Sequence, residues 1–130
     1  MEERSIIFVD DEKQIRAMYA RAFAAAGARV RTLESAEECL EAMRKDPSLV
    51  LFLDLNLPGM NGLELCRQLH KEWPMAIMYA VTGYASLFEI SDCREAGFED
   101  YFTKPVPLAK LKAAAERAFE RINSRKTKKP

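Results

Sequence analysis

The sequence has no surplus of charge of either sign: 20 lysines and arginines offset 20 aspartates and glutamates, so the 130-residue chain carries a formal charge of zero. This excludes a general electrostatic pull toward nucleic acid or an anionic membrane, and any partner preference has to come from local charge. Cysteine is scarce. Cys39, Cys66 and Cys93 are widely spaced, odd in number and without a C-x-x-C pair, which argues against a disulfide framework or a zinc site and fits a reducing, cytoplasmic setting. No apolar run approaches membrane-spanning length, and the N-terminal MEERSIIFVDD meets its acids too early for a signal peptide. Internal repeats and low-complexity tracts are absent. By size this is one soluble domain that buries a core without disulfides or a structural metal.

What is present is a regular alternation. Residues 6–9 form a short apolar run, read as a strand, that ends on Asp10 and Asp11. Ile15, Met18, Tyr19, Ala22, Phe23 and Ala26 then recur at helical spacing, with Asp11 and Gln14 expected to cap the start and Gly27 to stop the helix. Residues 28–33 alternate and carry two arginines, as an exposed edge strand does. A second helix follows from a Ser35–Glu38 capping pattern, with Ala36, Cys39, Leu40 and Met43 as its stripe. Residues 48–54 are an unbroken apolar strand ending on Asp54, before a loop of Pro58, Gly59, Asn61 and Gly62. Asn61 and Glu64 open a third helix burying Leu65, Cys66, Leu69 and Trp73, and Pro74 stops it. Residues 76–81 form a fourth strand reaching Thr82-Gly83. A helix capped by Ser86 and Glu89 runs to Gly97, and residues 98–103 lead to Lys104-Pro105. The last helix starts at Pro107 and carries Leu108, Leu111, Ala115, Ala118 and Ile122.

Five strands alternating with five helices imply an α/β fold: a five-stranded parallel, doubly wound sheet in flavodoxin-like order 2-1-3-4-5, with helices on both faces and right-handed crossovers. Residues 1–124 are expected to form the domain, and the basic residues 125–130 a frayed tail or linker remnant. Polar residues gather at the C-terminal ends of four strands, the edge where such sheets bind ligands. Asp10, Asp11 and Asp54 would repel one another there unless a cation intervened, and hard oxygen ligands suit Mg²⁺. Together with the Lys104 ammonium, the Thr82 hydroxyl and backbone N–H groups near Gly83, such a site would stabilise an arriving phosphoryl group, with Asp54 as the nucleophile.

With those residues in place, the chain from Ile6 to about Ser124 resembles a receiver domain of the two-component response-regulator family. The resemblance implies that Asp54, in its DLNLPGMNG context, is the phospho-acceptor. It also implies that Asp11 binds the metal directly and Asp10 through water, and that the backbone carbonyl of Asn56 completes the site. Thr82 corresponds to the switch hydroxyl, Tyr101 to the switch aromatic, and Lys104 to the phosphate-pairing lysine before a cis proline. The expected function is Mg²⁺-dependent acceptance of a phosphoryl group from a histidine kinase or histidine phosphotransfer protein, followed by a change in the face made by the fourth helix, fifth strand and fifth helix. That face would meet a downstream protein or fused output domain, or a second copy in a phosphorylation-dependent dimer, without direct nucleic-acid or membrane contact. The domain would be no enzyme beyond its own phosphorylation and dephosphorylation. Departures from the family pattern are Gly83 in place of the commoner alanine, Leu55 where some members carry tryptophan, and Tyr84, expected to shield the phosphoryl group from hydrolytic water.

Other readings fit less well. An aspartate-nucleophile phosphohydrolase places D-x-D after its first strand, whereas Asp54 follows the third and the residue two beyond it, Asn56, does no acid–base work. A receiver-like scaffold without phosphorylation would be expected to lack one of the key acids or Lys104. His70 reads as solvated, the cysteines as small core residues, and the basic tail as solvated charge.

Overall fold

The structure, a computed structural model, describes residues 4–25, 27–83 and 90–127; Tyr84 and the Ser86–Glu89 cap lie outside the described residues. The strands are β1 (Ser5–Val9), β2 (Arg29–Leu33), β3 (Val50–Leu53), β4 (Ile77–Thr82) and β5 (Asp100–Thr103), and the helices are α1 (Lys13–Ala24), α2 (Ala36–Lys45), α3 (Gly62–Glu72), α4 (Ile90–Ala96) and α5 (Leu108–Thr127). The sheet order is β2-β1-β3-β4-β5 and every pairing is parallel, as the alternation predicts. The strand with the two arginines is the edge strand, and each of its residues is only partly buried.

Strand alternation divides the core into two layers. Ile7, Val9, Leu51, Leu53, Met78 and Ala80 face α2, α3 and α4, where Cys39, Met43, Leu65, Cys66, Leu69, Cys93 and Ala96 meet them. The opposite face packs on α1 and α5 and is dominated by aromatic rings. Phe8 and Phe52 are register partners, as are Phe52 and Tyr79, with ring centroids 5.0 Å apart in both cases. Tyr79 continues the row to Phe102 at 6.0 Å. Rings of this size carry much of the burial energy and, in offset contact, fix the strand register.

Helix starts follow their chemistry, with corrections. Asn61 and Glu64 form both halves of a capping box. At α2 only one half closes: Ser35 accepts from the Glu38 N–H, while the Glu38 carboxylate turns to the Glu34 N–H. Asp11 does not cap α1. The N-cap is Glu12, without a side-chain cap bond, because the chain is still committed to the strand-end loop, where Asp10 Oδ1 accepts from the Glu12 N–H at 2.9 Å. Fraying was expected from Arg125, yet α5 continues through Thr127, with Arg125 donating to the Met75 carbonyl at 2.8 Å. The fifth strand starts at Asp100, two residues later than expected.

Candidate functional site

The parallel ladder runs one step past three strands. The Asp10 N–H donates to Leu33 O at 3.0 Å, the Asp54 N–H to Val9 O at 2.9 Å and the Lys104 N–H to Thr82 O at 2.8 Å. The backbone therefore stays extended to these residues. Since alternate side chains share a face, Asp10, Asp54 and Lys104 stand above Phe8, Phe52 and Phe102, on the aromatic side of the sheet. The charged groups thus sit on the floor that the ring ladder provides.

Lys104 Nζ bridges the two acids, 2.7 Å from Asp10 Oδ2 and 3.2 Å from Asp54 Oδ2. Asp10 is 1% exposed and Asp54 5%, and the Lys104 side chain is 20% exposed. Burial pushes the Asp54 carboxyl above the usual carboxylate range; the Asn56 N–H and Lys104 oppose this, and Asp10 adds to the rise. For Lys104, burial alone favours the neutral amine, but hydrogen bonds and charge attraction from Asp10 and Asp54 outweigh it and hold the ammonium above its ordinary range. The Lys104–Pro105 peptide bond is cis.

Two features fix Asp54 from below and beside. Its Oδ1 accepts from the Asn56 N–H at 3.0 Å, which draws Asn56 back over the strand end. Gly62 packs so closely that a Cβ there would lie 2.3 Å from the Asp54 carbonyl oxygen and 2.7 Å from Leu55 Cα. Only glycine fits where the helix start touches the acid's own backbone. At Gly83, by contrast, an added Cβ meets nothing within 4 Å.

Asp11 is brought beside Asp10, but the tight acidic group is completed by Glu12 rather than Asp54: carboxylate oxygens of Asp10, Asp11 and Glu12 lie within 4.8 Å of one another. Asp54 joins the group through Lys104. Glu12 escapes a sequence reading in which Asp10 and Asp11 close the strand and the helix follows, although three consecutive acids are the visible signal. Arg16 escapes it too. It reaches back from α1, with Nη1 donating to the Asp10 carbonyl at 2.9 Å and Nη2 lying 3.9 Å from Glu34, so Asp10 is held through backbone as well as carboxylate. Such a set of hard oxygen donors, two of them exposed, fits a small divalent cation that keeps part of its water shell.

Thr82 is the last residue of β4, fully buried and in register with Thr103. By alternation it continues the Met78–Ala80 face, to which the half-buried Tyr101 also packs. The hydroxyl and the aromatic ring thus share the layer of α3 and α4, opposite the ring ladder. His70 is exposed, and all three cysteines are buried.

Comparison with known proteins gives a consistent picture. The family model described as response regulator receiver domain matches residues 6–116. The DNA-binding transcriptional regulator NtrC of Escherichia coli K12 is 35% identical over 118 residues, covering 90% of this chain and 25% of NtrC. Response regulator MprA of Mycobacterium leprae is 32% identical over 108 residues, covering 83% of this chain and 47% of that protein. Among solved structures, a BeF3-activated DrrB receiver domain superposes with a TM-score of 0.83 at 28% identity, covering 92% of this chain and 99% of that one. NtrX from Brucella abortus, solved with ADP, gives 0.86 at 29% identity over 96% of this chain and 29% of its own. The chain therefore spans about a quarter of the length of the NtrC relatives it matches.

Proposed function

The chain belongs to the response regulator receiver domain family, and from that premise we propose that Asp54 accepts a phosphoryl group and that the resulting charge resets the surface formed by α4, β5 and α5. The observation that carries this reading is the Lys104 bridge, 2.7 Å to Asp10 and 3.2 Å to Asp54. It sets a cation against a buried carboxylate at a strand end, already in place for an incoming anion.

An Asp54 carboxylate oxygen attacks phosphorus in line with the bond to the donor, a phosphohistidine nitrogen of a kinase or phosphotransfer protein. The P–O bond forms as the P–N bond breaks, and the electron pair leaves with the imidazole, which takes its proton from solvent. Positioning and charge stabilisation supply most of the rate in such transfers. The Lys104 ammonium turns from the carboxylate to a phosphoryl oxygen, and the Thr82 hydroxyl donates to another. Asp10, Asp11 and Asp54, with the Asn56 carbonyl, would hold Mg²⁺, with Glu12 beside Asp10 and Asp11. When bound, the ion offsets the negative charge shared by phosphoryl and carboxylate oxygens.

The same movement serves as the switch. Drawing the Thr82 hydroxyl toward the phosphoryl group frees space in the layer it shares with Tyr101. Tyr101 then turns inward, changing the relief of α4, β5 and α5 for an output domain, partner protein or second copy. Phosphorylation need only bias an equilibrium that exists beforehand. NtrC and MprA are named as regulators, which supports an output beyond this domain. Tyr84 is proposed to shield the acyl phosphate from water.

Intact mass measured after incubation with acetyl phosphate, with and without Mg²⁺, tests this reading on the wild type and Asp54→Ala. The expected result is one Mg²⁺-dependent phosphoryl adduct, absent from the variant. An unmodified wild type, with no phosphate released, would instead favour a scaffold, and multiple-turnover phosphate release a hydrolase.

A further inference from the structure

Tyr19 links the aromatic core to the charged site. It lies on the buried side of α1, 4% exposed, with its ring stacked on Phe8 at 4.3 Å between centroids and 19° between planes. Long helical side chains lean toward the helix N-terminus. Because α1 starts at Lys13, directly after the acidic loop, Tyr19 leans toward the strand ends that carry Asp10, Asp54 and Lys104. Phe8, the ring it stacks on, is two residues below Asp10 on the same face.

The phenol has charged neighbours and no settled partner. Burial is the largest influence on it and pushes it up to about 12, while the charges of Lys104, Asp10, Asp54 and Glu12 also act on it. Among the described residues its hydroxyl makes no hydrogen bond, whereas Tyr79, further along the ring ladder, donates to the Ala114 carbonyl at 3.2 Å. Phenylalanine would stack on Phe8 equally well, so the stacking leaves the oxygen atom without a use. Lys104 offers one. Its ammonium has three N–H donors, and the bridge occupies two of them.

We propose that Tyr19 is a positioning residue for Lys104, its hydroxyl oxygen accepting the third ammonium N–H as Lys104 turns from the Asp10–Asp54 bridge to the phosphoryl oxygens. This rests on phosphoryl acceptance at Asp54. A neutral acceptor on the core side keeps the ammonium aimed without competing for its charge, and it retains one partner for the lysine while Asp54 carries the phosphoryl group.

The test compares wild type, Tyr19→Phe and Tyr19→Leu with acetyl phosphate and Mg²⁺, following adduct formation by intact mass across donor concentrations alongside urea unfolding. Tyr19→Phe is expected to lower the maximal rate about tenfold, the size of one hydrogen bond to a charged group, at unchanged half-saturating donor concentration and unchanged urea midpoint. Tyr19→Leu, which also removes the ring, is expected to lower the midpoint as well. A wild-type rate in Tyr19→Phe would overturn the proposal, and so would slowing that merely tracks a fall in its urea midpoint, since either result assigns Tyr19 to packing. Failure of the wild type itself to form an adduct would strike the Asp54 reading first, and this inference with it.

Discussion

Replacing Lys104 with methionine removes the cation that bridges Asp10 and Asp54 while keeping side-chain length. Each N–O contact, at 2.7 and 3.2 Å, corresponds to roughly 5–6 kcal/mol of attraction at an effective dielectric of about 20. Desolvation cancels much of that. Removing one partner of a buried pair leaves a net loss of about 3–5 kcal/mol, and because the Lys104 side chain is 20% exposed we expect the lower end, ~3 kcal/mol. With a urea slope of about 2 kcal/mol per molar, the unfolding midpoint falls by about 1.5 M near pH 7.5. The loss depends on pH. Burial already raises the Asp54 carboxyl, and Lys104 is among the groups opposing that rise, so its removal lets the carboxyl go higher. An acid with a raised folded-state pKa costs nothing below its unfolded value and progressively more as pH climbs through the folded one. The gap between wild type and Lys104→Met should therefore narrow from pH 7.5 to pH 5. Equal gaps at both pH values would show that the lost stability is packing and would refute the electrostatic account of the bridge.

Gly62→Ala forces a methyl against the Asp54 and Leu55 backbone and should destabilise the fold by about 1–3 kcal/mol as well as slow adduct formation. Gly83→Ala, with open space around it, should unfold within about 0.5 kcal/mol of wild type or slightly later in urea. A neutral Gly62→Ala would contradict the close approach. Burial pushes the Cys39 and Cys66 thiols up to about 12 and raises Cys93 as well, so a chromogenic disulfide reagent at pH 8 should label the native protein very slowly and all three cysteines quickly in urea. Rapid native labelling would contradict their placement in the core. Tyr19, raised to about 12 mainly by burial, and Lys104, held above its ordinary range by its acids despite burial, both keep their protons longer folded than unfolded. The three thiols do the same from about pH 9, so stability should fall from about pH 9 and more steeply between pH 10 and 12, and urea midpoints unchanged from pH 8 to pH 11.5 would contradict these shifts.

The fold was legible because its signals are local. Apolar runs at residues 6–9, 48–54 and 76–81, separated by periodic helices with readable caps, specify alternating strands and helices, and parallel sheets of that kind have few topologies. Asp10 and Asp54 could be placed at strand ends because each follows an apolar run directly, and Lys104 because it closes the short segment 98–103 just before Pro105. What escaped depends on tertiary geometry. Glu12 joins the acidic group only because Asp10 holds the Glu12 N–H and delays the start of α1. Arg16 matters only because one turn of α1 brings its guanidinium back over the Asp10 carbonyl. Tyr19 carried the same apolar-stripe signal as Phe23, and only its stacking on the ring below Asp10 sets it apart. Gly62 was visible as a turn residue, but its contact with the Asp54 backbone was not.

The most direct test of phosphoryl acceptance at Asp54 is to locate the adduct chemically. Protein treated with acetyl phosphate and Mg²⁺ is reduced with borohydride, which converts an acyl phosphate of aspartate to homoserine, and is then digested and sequenced by tandem mass spectrometry. The account predicts homoserine at position 54 and at no other aspartate, with none in the untreated control. Homoserine at Asp10 or Asp11 instead, or a phosphoryl group that survives reduction on another residue type, would contradict it.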